Sequence, residues 1–174
     1  MNDVHQKEKI RVIITGTPGT GKTTIAKFLA KELSADLISI SEFVITRKLY
    51  MDFDSKRKAY VVDPEKFRKH ISKELKQKQR VIIEGLCADL IPDDLIDFCV
   101  VLTCEPFELE RRLREKGWPE EKIHENVDAE RFKVILGECL DAFGAKKVIE
   151  IDTTYLSIKE VVEKILEKIR EKDC

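Results

Sequence analysis

The sequence predicts an α/β fold in three layers, αβα, with a five-stranded parallel sheet at its centre. Short runs rich in β-branched residues alternate with longer charged segments of helical spacing. Several of these runs are apolar throughout, as strands buried on both faces are. The strand candidates are residues 10–15 (IRVIIT), 36–40 (DLISI), 80–84 (RVIIE), 98–103 (FCVVLT) and 148–151 (VIEI). No internal repeat, low-complexity tract or linker interrupts the 174 residues, so a single domain over 1–174 is expected, with right-handed crossovers and a frayed tail at residues 1–8.

The segments between the strands read as helices from their end signals. One follows Gly21 directly. A second opens near Ser41, a possible N-cap, and a third has Asp63 as cap with Pro64 at its first position and runs through the basic stretch 63–80. A fourth begins near Pro106 and stops before Gly117. Residues 119–144 read as one long helix. The last helix puts Ile158, Val161, Val162, Ile165, Leu166 and Ile169 on one face.

Composition narrows the class. Hydrophobic residues make up 43% and charged residues 37% of the chain, and the net charge is −1. Residues 1–87 carry 18 Lys/Arg against 11 Asp/Glu, and residues 88–174 carry 14 against 22, an asymmetry that marks either an anionic ligand or RNA surface or, more plainly, ordinary solvated helix faces. The five cysteines, Cys87, Cys99, Cys104, Cys139 and Cys174, lack C-x-x-C spacing and are odd in number. They read as small, mostly buried residues of a reducing compartment rather than a disulfide or zinc framework. His5, His70 and His124 are scattered, without metal-ligand spacing. The polar N-terminus lacks an apolar signal core and the apolar runs are too short to span a bilayer, so a cytoplasmic protein with no membrane partner is expected.

The chemistry lies in ITGTPGTGKTT, residues 14–24. Gly16-Thr-Pro-Gly-Thr-Gly-Lys-Thr23 satisfies G-x-x-x-x-G-K-[ST], placed after a strand and before a helix, where a phosphate cradle needs it. Gly16, Gly19 and Gly21 can turn backbone N–H groups onto phosphate oxygens, Lys22 reaches the β- and γ-phosphates, and Thr23 offers a hydroxyl to Mg²⁺. ATP as co-substrate with Mg²⁺ is the expectation. Glu84, at the end of the third strand candidate, falls beside this loop and is a further Mg²⁺ ligand through water, a group that orients an attacking water, or a strand-end carboxylate that caps a neighbouring helix. Two cation clusters could neutralise a transferring phosphoryl group: Arg47 with Lys48, and Arg111, Arg112, Arg114 and Lys116 running into a Gly-Trp-Pro turn. Solvated helix charges are the plainer reading of any one of them. Trp118 either covers a base or anchors the turn. The basic stretch 63–80 is either a solvated face or an RNA contact.

Four stretches in order, ITGTPGTGKTTIAKFLAKEL, LISISEF with the following KLY, VIIEGLCADLIP and ERRLREKGWPEEKIHENVDAERFKVI, resemble the adenylate kinase 6-like family. The resemblance covers residues 10–169 and is most specific over 110–135. It implies a P-loop fold of the nucleoside monophosphate kinase type, with a monophosphate-binding segment at about 41–63 and a short lid at about 114–124. It implies Mg-dependent transfer from ATP to AMP or other nucleoside monophosphates, a slower ATPase, and triphosphate binding by Gly19, Gly21, Lys22, Thr23 and Thr24. Arg112 matches the family's lid-helix arginine, a catalytic and substrate-binding position. The resemblance further implies a role in maturation of the small ribosomal subunit precursor, through ribosomal protein uS11. The chain departs from the family where Asp and then His are usual and Glu84 and Leu86 stand, where Lys116 replaces Arg, and where Ile45 aligns with an Arg that only Arg47 could replace. Three readings stand: a nucleoside monophosphate kinase, an ATP-dependent ribosome assembly factor with little kinase activity, and a P-loop kinase of a non-nucleotide metabolite.

Overall fold

Five strands lie side by side in the order β2-β5-β1-β6-β7, all parallel: β1 (Ile10–Gly16), β2 (Asp36–Ser39), β5 (Arg80–Glu84), β6 (Phe98–Thr103) and β7 (Val148–Asp152). The computed structural model describes residues 9–173. The expected tail at residues 1–8 and Cys174 lie outside the described residues. Seven helices complete the described chain: α1 (Lys22–Glu32), α2 (Ile40–Thr46), α3 (Pro64–Lys76), α4 (Pro106–Glu115), α5 (Glu120–Arg131), α6 (Val134–Lys147) and α7 (Ile158–Asp173). Short 3₁₀ turns lie at Ala88–Leu90 and Asp93–Leu95.

The period-2 alternation of each strand divides the core into two layers. Val12 and Ile14 point to the side of α1 and α7, where they pack with Leu29 and Ile165. Ile13 points to the other side, with Phe67 and Ile71 of α3 and Phe143 of α6. A third, smaller core of Leu109, Leu113, Ile123 and Val127 joins α4 to α5, with Trp118 packed against it. The register brings Ser39, Glu84 and Ile14 level. Two residues further along, Gly16, Leu102 and Ile151 are level in the same way. The carboxyl ends of all five strands therefore form one edge, where ligands of open parallel sheets sit.

The helix signals hold where a side chain closes the first turn. Asp63 accepts from the Lys66 N–H at 3.1 Å with Pro64 behind it, and Ser157 and Glu160 cap the start of α7 reciprocally. For α2 the cap position is Ser39, two residues before the expected Ser41.

Two expectations need correction. Residues 119–144 do not form one helix: Lys133 adopts φ 50° and turns the chain between α5 and α6, and Gly144, at φ 74°, breaks α6 near its end. Helical spacing on both sides of Lys133 conceals this turn, which no Gly or Pro marks. The segment after α2 holds an antiparallel hairpin, β3 (Tyr50–Asp54) and β4 (Ala59–Val62), that the strand pattern does not predict. Its turn contains no glycine. The Asp54 carboxylate accepts from the Lys56 and Arg57 N–H groups, both at 3.0 Å, and Lys58 adopts φ 50°. Tyr50, Phe53 and Tyr60 stack across it, with ring centroids 4.4 and 5.1 Å apart.

Ile165 is fully buried between α7 and the sheet, whereas Phe132 is 75% exposed. Ile165→Ala is expected to lower unfolding free energy by about 2–5 kcal/mol and Phe132→Ala by less than about 0.5 kcal/mol, both read from urea denaturation midpoints.

Candidate active site

The turn between β1 and α1 is shaped by what packs behind it. A Cβ on Gly16 (φ 145°) would lie 2.3 Å from the Leu102 carbonyl oxygen, and one on Gly19 (φ 95°) 2.8 Å from Leu109 Cδ1 of α4. Neither position has room for a side chain, so the loop lies flat against β6 and α4. Gly21, in the left-handed region, caps α1 with no side-chain acceptor, and the first turn of that helix holds no acid. Among the described residues, no backbone carbonyl accepts from the amides of Gly19, Gly21, Lys22, Thr23 or Thr24. Oriented, unpaired donors at the positive end of a helix form a cradle for an anion.

Buried side chains fix this loop from below. Glu130 of α5 is buried, and its two oxygens accept from Thr17 Oγ1 at 2.6 Å and from the Cys104 N–H at 2.7 Å. Thr20 Oγ1 donates to the Thr17 carbonyl at 2.7 Å, and Thr153 Oγ1 donates to the carbonyls of Thr103 and Thr20 at 3.0 and 3.3 Å. The sequence reading missed Glu130 and Thr153. In "VDAERF" an acid on a charged helix looks solvated, and only the tertiary fold turns it inward.

Lys22 and Glu84 meet at the mouth of the cradle. Burial lowers the Lys22 ammonium to about 8. The Glu84 and Glu130 carboxylates oppose this, and the positive charge of Lys116 adds to it. Glu84 is buried at the end of β5, and Thr23 Oγ1 donates to its Oε2 at 3.4 Å. This pair of oxygen donors beside a phosphate cradle fits a hard divalent cation such as Mg²⁺.

The four cations of the 111–116 cluster have separate placements. Arg111 pairs with Glu108 and Glu115, and Arg114 with Glu110 and Glu120, so both act as helix-surface ion pairs. Arg112 donates through Nη2 to the Thr153 and Thr154 carbonyls, both at 3.1 Å, and through Nε to Glu108 at 2.9 Å. Its Nη1 lies 3.4 Å from Thr153 Oγ1 and 3.5 Å from the Gly19 carbonyl, two long contacts at the cradle rim. Lys116 caps α4 with its charge close enough to act on Lys22. Trp118 packs on the α4–α5 core, with Lys122 Nζ 6.0 Å from its ring centroid, so it anchors the turn.

A cavity of about 520 Å³ opens beside the cradle. Lys22, Thr23 and Glu84 form one wall. Ile40, Val44 and Ile45 of α2 supply apolar lining, and Lys58 and Tyr60 of the hairpin line the cavity as well. Arg47, expected here, points elsewhere. Its guanidinium pairs with Glu74 at 2.8 Å and covers the Phe43 ring at 4.4 Å. Two residues along a helix rotate a side chain by roughly 200°, so when Ile45 faces the cavity Arg47 faces α3.

The basic helix, His70 and His124 lie outside this site, and His5 lies outside the described residues. On α3, Lys69 and Lys73 line a groove with Arg47 on the far side of α2, and just beyond the helix Lys78 pairs with Asp36 at 2.9 Å. His70 Nδ1 is 2.9 Å from the Lys66 carbonyl, and His124 is 3.7 Å from Glu120. Cys99, Cys104 and Cys139 are buried free thiols and Cys87 is exposed. Among the described residues no helix is long and apolar enough to cross a membrane.

Comparison with known proteins bears on this geometry. A family model described as "AAA domain" matches residues 12–133. A protein of Saccharolobus solfataricus named "Putative adenylate kinase" is 39% identical over 157 residues, covering 90% of this chain and 82% of the relative. One of Methanocaldococcus jannaschii with the same name is 38% identical over 163 residues, covering 94% and 88%. The chain belongs to the adenylate-kinase-like family. A solved shikimate kinase from Acinetobacter baumannii in complex with shikimate superposes with a TM-score of 0.66 over 95% of each chain at 17% identity, which shows the shared P-loop kinase fold. In this family setting, the parallel sheet, the glycine-rich turn and the adjoining cavity form one arrangement.

Lys22 carries the pH dependence of the cradle. The free protein holds it protonated below pH about 8, so ATP affinity is expected to be level from pH 7 to near 8 and to fall as the ammonium is lost above it. Fluorescence titration with an ATP analogue between pH 7 and 9.5 checks this.

Proposed function

We propose that this protein transfers the γ-phosphoryl group of ATP to a nucleoside monophosphate, AMP first among them, as an adenylate kinase of the 6-like type. The observation that carries the reading is the direct opening of the 520 Å³ cavity onto Lys22, Thr23 and Glu84, next to a loop of unpaired amides. A donor phosphate in the cradle and an acceptor in the cavity would meet at Lys22. The relatives' name, carried to this chain at 39% identity, points to the same pair of substrates.

In this reading the amides of Gly19, Gly21, Lys22, Thr23 and Thr24 grip the β- and γ-phosphates, with Gly16 allowing the loop its approach to β6. The ammonium of Lys22 spans the transferring group. Arg112 Nη1 and Lys116 offer positive charge from the lid side, residues 114–124, as the equatorial oxygens gain charge. An oxygen of the acceptor's phosphate forms a bond to the γ-phosphorus while the bond from that phosphorus to the β,γ-bridging oxygen breaks. ATP and AMP become two ADP. Mg²⁺, when bound, would be held by Thr23 and Glu84, the latter through water, and would neutralise phosphate charge. The segment 41–63 supplies much of the acceptor's lining. Lys122 Nζ of the lid side donates to the Arg57 carbonyl of the hairpin at 2.7 Å, a contact that narrows the cleft against water.

Turnover of ATP with AMP, CMP, UMP and GMP, and in parallel with shikimate and gluconate, is to be followed by chromatographic separation of the nucleotides. The expected result is ADP formed from both ATP and AMP, with Lys22→Ala lowering the rate by more than about 100-fold. ADP formed only with shikimate or gluconate would replace this reading with that of a metabolite kinase.

A further inference from the structure

The proposed reaction needs a cation for the acceptor's own phosphate, separate from Lys22, which serves the donor. Arg47 is turned onto Glu74 and Phe43, and Ile45 takes its place against the cavity. Among the described residues that line the cavity, Lys22 and Lys58 are the two cations. We infer, on the basis of the transfer reaction proposed above, that Lys58 holds the acceptor's phosphate and so selects an anionic acceptor over a neutral one.

Three features support this. Lys58 comes from the turn of the β3–β4 hairpin, whereas Lys22 and Glu84 come from the start of α1 and the end of β5, so the two cations that line the cavity are contributed by separate elements. Its ammonium has no hydrogen bond or ion pair among the described residues, in contrast to Arg47, Arg111 and Arg114, each of which is matched to a carboxylate. Its position is built rather than incidental. The Asp54 carboxylate folds the turn through Lys56 and Arg57, Lys58 takes the left-handed backbone that closes it, and Lys122 ties the Arg57 carbonyl to the far side of the cleft. The α2 lining offers an acceptor only apolar contact from Ile40, Val44 and Ile45 and the hydroxyl of Ser41. An anion in such a cavity, with the Glu84 carboxylate also on its wall, needs a nearby positive charge to be held at all.

The test measures binding and turnover separately. Calorimetric titration of the full chain with AMP and with adenosine isolates the phosphate. The expected result is that Lys58→Ala weakens AMP binding about 10-fold or more, the loss of one charge-assisted contact, leaves adenosine binding within about 2-fold, and is largely rescued by Lys58→Arg. In turnover, the KM for AMP rises in parallel while the KM for ATP moves less than about 2-fold. Lys58 is exposed at a turn, so an unchanged melting temperature is expected and separates this effect from misfolding. Equal AMP affinity in Lys58→Ala and the parent, or no AMP binding by the parent, overturns the inference. AMP binding that depends on Lys58 without ADP formation supports the inference and refutes the transfer reaction. ADP formation that is indifferent to Lys58→Ala does the reverse.

Discussion

A polypeptide attracts a polyphosphate only by holding several donors unpaired and aimed at one point, and the rest of this molecule depends on meeting that requirement. Neighbouring carbonyls would satisfy those amides in a loop free to relax. Here the loop cannot relax. Leu102 and Leu109 press on it where Gly16 and Gly19 have no side chain. Glu130 takes the Thr17 hydroxyl from beneath, and Arg112 ties the neighbouring β7–α7 loop. The cost of burying the Glu130 carboxylate is offset by two short, charge-assisted hydrogen bonds. Preorganisation of this kind is what electrostatic catalysis of phosphoryl transfer needs, since the donors do not have to reorient as charge develops.

The helical region 106–131 contributes to the cradle mainly as a support. A core of leucine, isoleucine and valine locks α4 to α5. From this unit Gly19 receives its packing surface, Thr17 its acceptor and the mouth of the cradle the charge of Lys116. The two helices meet at the short turn around Gly117, which adopts φ 72°. The hairpin beside the cavity is a different kind of element. It is an isolated two-stranded ribbon, marginal on its own, stiffened by stacked rings and by one lysine reaching across the cleft. Such an element can respond to an acceptor without disturbing the donor cradle.

Features that were legible in the sequence are those encoded locally. Strand positions, the glycine-rich turn, Asp63 with Pro64, and Lys22, Thr23 and Glu84 on one edge follow from spacing and residue type. The hairpin was hidden because its turn uses Asp54 and a left-handed lysine instead of glycine, and because its strands lack a buried alternating face. The charge of Arg47 suggests an anion contact, but helix rotation directs it to Glu74. Glu130 is the opposite case: an acid on a polar helix carries no local sign that it is buried against a partner 113 residues away. Pairings of that range are decided by topology, which residue type alone does not reveal.

The central claim is that two anion sites abut at Lys22, one in the loop and one in the cavity. Calorimetric titration with a single molecule in which two adenosines are joined through five phosphates tests it most directly, because that ligand spans both sites only if they adjoin. The account predicts one molecule bound per chain, at least about 100-fold more tightly than ATP, the gain expected when a second site is filled intramolecularly. Binding no tighter than ATP, or two molecules per chain, would contradict it.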